Sequence, residues 1–154
     1  YESNLKNNES YIANTKFCKE IESTSAGSNK TYNAYTRLVT NNIPSFNCLG
    51  ETYRSRIGLI TADEVAFAGG NFKDNNKDYY LYNKDIEDIW WLSNLARTKD
   101  GIFYPFSITK EGKISDTTSG LAYKNVRPVI NIIKKTTVKG SGTLEDPYTI
   151  NTQL

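Results

Sequence analysis

The sequence predicts a mixed α+β domain, on three observations. Helical periodicity is confined to a few short stretches. The apolar runs are short and strand-like, and Gly-, Asn- and Ser-rich loops separate them. One strand, Ile57-Gly58-Leu59-Ile60, runs straight into a helix, with none of the strand–helix alternation that a parallel βαβ sheet requires.

In residues 1–26, Leu5, Tyr11, Ile12, Phe17 and Ile21 predict an interrupted amphipathic helix, broken at Asn7-Asn8-Glu9-Ser10. Gly27-Ser28-Asn29-Lys30 reads as loop. Tyr32, Tyr35, Leu38 and Val39 recur at helical intervals and predict a second helix covering one side of the core. Pro44-Ser45-Phe46-Asn47-Cys48 is extended. In the stretch from 57 to 70, Thr61 and Glu64 have capping-box spacing, so each side chain can satisfy a backbone N–H at the start of a helix. Ala62, Val65, Ala66 and Phe67 form its apolar face, and Gly69 or Gly70 closes it with a left-handed residue.

Asn71 to Asp78 is a polar loop. Asp74-Asn75-Asn76-Lys77-Asp78 resembles the start of a calcium loop, but Tyr79 stands where such a loop needs Gly and Asp85 where it needs Glu. A solvated turn is the better reading. Tyr79-Tyr80-Leu81-Tyr82 is a strand by composition. Asp85, Glu87 and Asp88 are a charged loop, and Ile89-Trp90-Trp91-Leu92-Ser93 is a second core anchor. Ile102 to Ile108 is a strand whose Pro105 places it at an edge or a bulge. Lys110-Glu111-Gly112-Lys113 is a hairpin turn leading to a returning strand at Ile114. Asp116 to Gly120 is loop, Val126 to Ile133 the strongest strand, and Gly140 to Ile150 a glycine turn with a last short strand.

Composition bounds the function. One domain of 154 residues can bury a proper core, filled here by 11 Tyr and 6 Phe because the chain has no Met. A net charge of +2 without a basic, aromatic-interleaved patch argues against nucleic acid. The absence of His excludes Ser-His-Asp and Cys-His catalysis, and histidine-ligated zinc. Cys18 and Cys48 cannot make a zinc site alone, so they form a disulfide or stay as two buried thiols. The Asn- and Ser-rich surroundings of an exported protein favour the disulfide. The start at Tyr1-Glu2-Ser3-Asn4-Leu5 reads as a piece of a longer chain, whose export or anchoring signal lies upstream; membrane contact is expected only through that anchor.

Three segments resemble a known family: 57–70, Trp90-Trp91-Leu92-Ser93, and Val126-Arg127-Pro128-Val129-Ile130-Asn131 with Gly140 to Tyr148. They are similar to exported bacterial proteins with a C-type-lectin-like domain, related to the formylglycine-generating-enzyme fold. Phe17-Cys18 and Phe46-Asn47-Cys48 extend the likeness over nearly the whole chain. The resemblance implies one domain over 1–154, with a helical and loop segment at 1–50 and a lectin-like core at 51–154. That core has a few short strands, two helices and a long irregular region forming an exposed face. In some members of the fold class this region is hypervariable, rewritten at adenines by a retroelement to change the ligand bound.

The corresponding face here is Asn94 to Asn125. It offers the Tyr, Ser, Asn and Arg residues that adapt to varied ligands, and the candidate contacts are Asn94, Arg97, Thr98, Phe103, Tyr104, Ser107, Asp116, Thr118, Tyr123 and Asn125. Alternation requires that either Ile102/Tyr104/Phe106 or Phe103/Pro105/Ser107 point into the core. No enzyme is expected. Formylglycine-generating enzymes hold copper with a late cysteine pair, whereas both cysteines here are early, and Asp85/Glu87/Asp88 and Glu145/Asp146 read as solvated acids. Calcium lectins carry Glu-Pro-Asn or Gln-Pro-Asp with a later Trp-Asn-Asp; this chain has Glu145-Asp146-Pro147 and no such partner. The expectation is a secreted or cell-surface module, without cofactor or metal, that binds a glycan or surface protein. The alternative is a structural surface subunit, pilin-like or at a stalk tip.

Overall fold

The computed structural model describes residues 6–151 except positions 24, 86, 87 and 144. Of the positions named above, Tyr1 to Leu5 and Glu87 lie outside the described residues. In chain order a 3-10 turn (Lys6–Tyr11) leads to β1 (Thr15–Lys19) and β2 (Lys30–Thr31). Helix α1 (Asn33–Tyr35) continues as a π-helical turn (Thr36–Thr40), followed by β3 (Glu51–Ser55), β4 (Ile57–Leu59) and helix α2 (Ala62–Phe67). The remainder is β5 (Trp90–Lys99), β6 (Ile102–Ile108), β7 (Ile114–Ser115), β8 (Asn125–Val126), β9 (Pro128–Ile130), β10 (Val138–Lys139) and β11 (Thr149–Ile150).

The result is a small α+β domain with a curled, mainly antiparallel sheet and two short helices. The main sheet runs β2-β5-β6-β7, with β8 parallel to β5; β1-β3, β4-β9 and β10-β11 are antiparallel pairs. β5 alternates strictly along its length. Trp90, Leu92, Asn94, Ala96 and Thr98 face inward and are buried, while Trp91, Ser93, Leu95 and Arg97 face the other way and are half-buried. Two of the small core residues, Ala34 on α1 and Ala96 on β5, are both fully buried, and Tyr32 N–H donates to the Ala96 carbonyl at 3.1 Å. Small side chains let the helix lie close to the strand. Leu38, Val65, Trp90, Phe106, Ile108 and Ile114 fill the space between.

Several local expectations match the structure. Thr61 Oγ1 accepts from Glu64 N–H at 3.1 Å while Glu64 Oε2 accepts from Thr61 N–H at 2.7 Å, which is the reciprocal capping box. Gly69 takes the left-handed position (φ 107°) after α2. Gly112 (φ 80°) turns the chain from β6 to β7. Pro105 sits where the β5–β6 register shifts, so the bulge accommodates its missing donor. The same bulge defeats simple alternation: Phe106, Ser107 and Ile108 are all buried.

Five expectations are corrected. Residues 15–19 are strand, not helix: Phe17 pairs with Tyr53 across the ladder and packs on its ring (centroids 5.9 Å apart). The polar cluster Asn7 to Ser10 is part of the 3-10 turn rather than a break. Tyr79 to Tyr82 is a turn closed by Tyr82 N–H to the Tyr79 carbonyl (3.0 Å), burying Tyr79 and leaving Tyr80 exposed. The run from 126 to 133 is divided between two sheets: Val126 pairs with Trp91 of β5, and Pro128–Ile130 with β4. Arg127, at the crossover, lies over the Trp90 ring with its guanidinium carbon 4.8 Å from the centroid, and donates to the Leu81 carbonyl. Lastly, 94–125 is not one irregular region, because β5 and β6 run through its first half.

The Tyr79 hydroxyl is buried and has no hydrogen-bond partner among the described residues. Burial, reinforced by Tyr82, pushes its pKa up from 10.0 to about 12. The folded state therefore keeps a proton that the unfolded chain loses. Stability from this group is complete below pH 10 and is lost as pH rises towards 12. Tyr79→Phe removes an unsatisfied hydroxyl and the titration together. It is expected to raise stability by about 1 kcal/mol at neutral pH, and to flatten the alkaline limb of a urea-denaturation series. A destabilised variant with an unchanged alkaline limb would contradict both.

Candidate functional site

The sheet separates the sequence-derived candidates. Asn94, Thr98 and Ser107 are buried (3%, 9% and 0% exposed) and present no surface on the candidate face. Each is polar and inward because a partner waits there. Asn94 Oδ1 accepts from Ala62 N–H (2.8 Å), Thr98 Oγ1 shares a hydrogen bond with Tyr32 Oη (2.9 Å), and Ser107 Oγ donates to Thr118 Oγ1 (3.4 Å). Arg97, opposite Tyr104 in register, sits with its guanidinium carbon 5.2 Å from that ring. Its Nε lies 3.2 Å from Asp116 Oδ2 and donates to the Asp116 carbonyl. Arg97, Tyr104 and Asp116 thus form one cluster, whereas Phe103 pairs with Thr98 and projects from the opposite side of the ladder.

After β7 the chain is tied back to the sheet by the Arg97–Asp116 pair, the Ser107–Thr118 bond and Gly120 N–H to the Phe103 carbonyl at 2.7 Å. Beyond these anchors Leu121 and Tyr123 stand in solvent, 77% and 101% exposed, with Asn125 and Val126 exposed beside them at β8.

A second feature was not legible in the sequence. Arg37, on the π-helical turn, is gripped by two buried carboxylates. Its Nη1 and Nη2 donate to Glu20 Oε1 and Oε2, both at 2.8 Å. Its Nε and Nη2 donate to Asp63 Oδ1 and Oδ2 at 2.8 and 2.7 Å. Asn94 Nδ2 adds a donor to Glu20 Oε2, and Ser45 N–H one to Asp63 Oδ1. The hydrogen bonds it donates to Glu20 and then Asp63 hold the guanidinium's pKa above its ordinary value, against the opposing effect of burial. Every carboxylate oxygen of Glu20 and Asp63 is satisfied, so the network ties the segment just after β1, the helical turn, α2 and β5 together.

Over this network lies a cavity of about 300 Å³, walled by β1, the 45–48 segment and β4–β9. The Cys18–Cys48 disulfide forms part of the wall. At its rim Phe46 is 73% exposed and stacks on Phe67, centroids 4.1 Å apart and planes 13° apart. The helical pattern placed Phe67 in the core, yet it is 49% exposed. No pattern signal marks Glu20, Arg37 or Asp63, which read singly as surface charges; the Phe-Cys pairs at 17–18 and 46–48 are the one hint that these segments meet. Among the described residues no group of three or more His, Cys, Asp or Glu is arranged to hold a metal ion, and no helix is long and apolar enough to cross a membrane. No family model, curated protein or solved structure matches this chain.

Proposed function

We propose that this domain is a non-enzymatic, C-type-lectin-like binding module of an exported or cell-surface protein. It recognises a glycan or surface protein, without calcium, through the face built from Arg97, Tyr104, Asp116, Tyr123 and Asn125. The observation that carries this reading is the anchored loop: Tyr123 is fully exposed beside Leu121, while three bonds at 116–120 fix the backbone below. Large apolar side chains held in water on a fixed frame are what a contact surface needs, because little conformational entropy is lost when it binds. The Tyr, Asn, Arg and Ser content of the face supplies ring area with adaptable hydrogen bonding. Thr118 contributes from beneath, by holding the loop.

The test is binding of the labelled domain to a mixed array of glycans and surface proteins, with calcium and again with EDTA. Hits that persist in EDTA are expected. Tyr123→Ala should weaken them by about tenfold or more while leaving thermal stability within roughly 0.5 kcal/mol of wild type. Hits lost in EDTA would instead mean a calcium lectin. An array without hits would favour the structural-subunit alternative, and hits indifferent to Tyr123→Ala and Tyr104→Ala would move the face elsewhere.

A further inference from the structure

We propose that the cavity above the Arg37 network is a second binding site, and that it takes a neutral sugar ring. The proposal does not rest on the 97–125 face: of the candidate contacts there, Asn94 alone lines this cavity, at its inner side. Three observations converge on it.

The first is volume. About 300 Å³ is at the lower end of the range for small-molecule sites. It suits one ring rather than a peptide segment or a second domain.

The second is the rim. Phe46 and Phe67 form a parallel stack with most of the Phe46 ring in water. Their own packing does not account for it, since an aromatic pair of this size in a small domain is usually turned inward. A stacked pair behind one open ring gives a flat apolar platform that is stiff against tilting. The C–H face of a pyranose is flat and apolar in the same way, while its hydroxyls lie around the edge.

The third is the polar lining. Lys16 and Asn47 are among the residues lining the cavity, and neither side chain has a hydrogen bond or ion pair among the described residues. Glu64 uses only Oε2 in its capping box, and Asn131 uses only its amide N–H in bonding Thr15, which leaves Glu64 Oε1 and Asn131 Oδ1 as acceptors. Donors and acceptors are therefore mixed around one ring-sized space, as hydroxyls that both give and accept require. Charge narrows the class. Lys16 and Arg37 contribute two positive charges to the lining, and Glu20, Asp63 and Glu64 three negative ones, so the site carries a net −1. Arg37 is already committed to its two carboxylates. Phosphates, sulfated sugars and other anions are disfavoured.

The experiment is a titration of the ¹⁵N-labelled, oxidised protein with the methyl glycosides of glucose, galactose, mannose and N-acetylglucosamine, followed by backbone amide shifts. Phenylalaninamide and inorganic phosphate serve as competing probes. At least one glycoside is expected to give saturable shifts centred on Lys16, Phe46, Asn47 and Asn131. Phe46→Ala, at an exposed position, should leave the amide spectrum folded and weaken that glycoside by about tenfold or more. Asn47→Ala should weaken it severalfold, and Tyr123→Ala should leave it unchanged. The proposal is overturned by the absence of saturable shifts with every glycoside, by shifts that survive Phe46→Ala, or by saturation with phenylalaninamide or phosphate alone. Failure here with a positive array that depends on Tyr123 would leave the first face standing, and the reverse pattern would leave only the cavity.

Discussion

Replacing Arg37 with Ala is expected to cost about 3–5 kcal/mol. The guanidinium is 11% exposed and its partners Glu20 and Asp63 are 1% and 4% exposed. Removing it leaves two buried carboxylates facing each other with no cation between them. For a domain of this size the loss corresponds to a melting-temperature drop of roughly 10 °C. Two comparisons separate the penalty of stranded charge from the worth of a contact. Glu20→Gln takes away the surplus negative charge and keeps the shape, leaving Arg37 and Asp63 as a neutral pair, so it should cost much less than Arg37→Ala. Arg37→Lys keeps the charge but cannot fork to both carboxylates, so it should fall between the two. The exposed pair of Arg56 with Glu9 (52% and 39% exposed, 3.6 Å) provides the contrast: Arg56→Ala should change stability by less than about 1 kcal/mol. Urea denaturation of the four variants decides the matter. An Arg37→Ala loss no larger than that of Arg56→Ala would mean that the network is wet and not structural.

That network also shows what the sequence could and could not reveal. Features closed within a few residues were readable: the Thr61–Glu64 capping box, the Gly112 turn, the Tyr32–Leu38 helical face and the terminal Gly turn. Each depends on spacing along the chain, and spacing is printed in the sequence. The length of β5 was not readable, because two of its five inward positions are Asn94 and Thr98. Their burial makes sense only once Ala62 N–H and Tyr32 Oη are known to lie opposite. The same holds for Glu20, Arg37 and Asp63, which are far apart in sequence and become intelligible as a set only after folding. The tyrosine-rich 79–82 run failed for another reason: strand composition was outweighed by burial of Tyr79 in a turn. Among the candidate contacts Phe103 and Tyr123 are exposed, whereas the alternation of β5 turns Asn94 and Thr98 inward and the bulge in β6 buries Ser107.

Removing the Cys18–Cys48 bridge is expected to cost about 3–4 kcal/mol in the chain-entropy account, given a sequence separation of 30. The double variant Cys18→Ser/Cys48→Ser avoids mixed disulfides and gives the cleaner measurement. Its effect should be uneven. The bridge joins β1 to the segment that carries Ser45 and Phe46, and Ser45 N–H is a donor to Asp63. Freed from β1, the 41–50 segment loses its covalent tether while β5, β6 and the 116–125 loop keep all their own bonds. Amide hydrogen exchange should therefore rise first around 41–50 and β3, with protection in β5 and β6 falling only in line with global stability. Binding through the Tyr123 face should persist at temperatures where the variant remains folded, while binding in the cavity should weaken, since its wall includes both cysteines. Melting curves that coincide with and without reductant would show that the bridge contributes nothing. Equal loss of exchange protection in β5 and at 41–50, well below the melting temperature, would show instead that the two parts of the domain open as one unit.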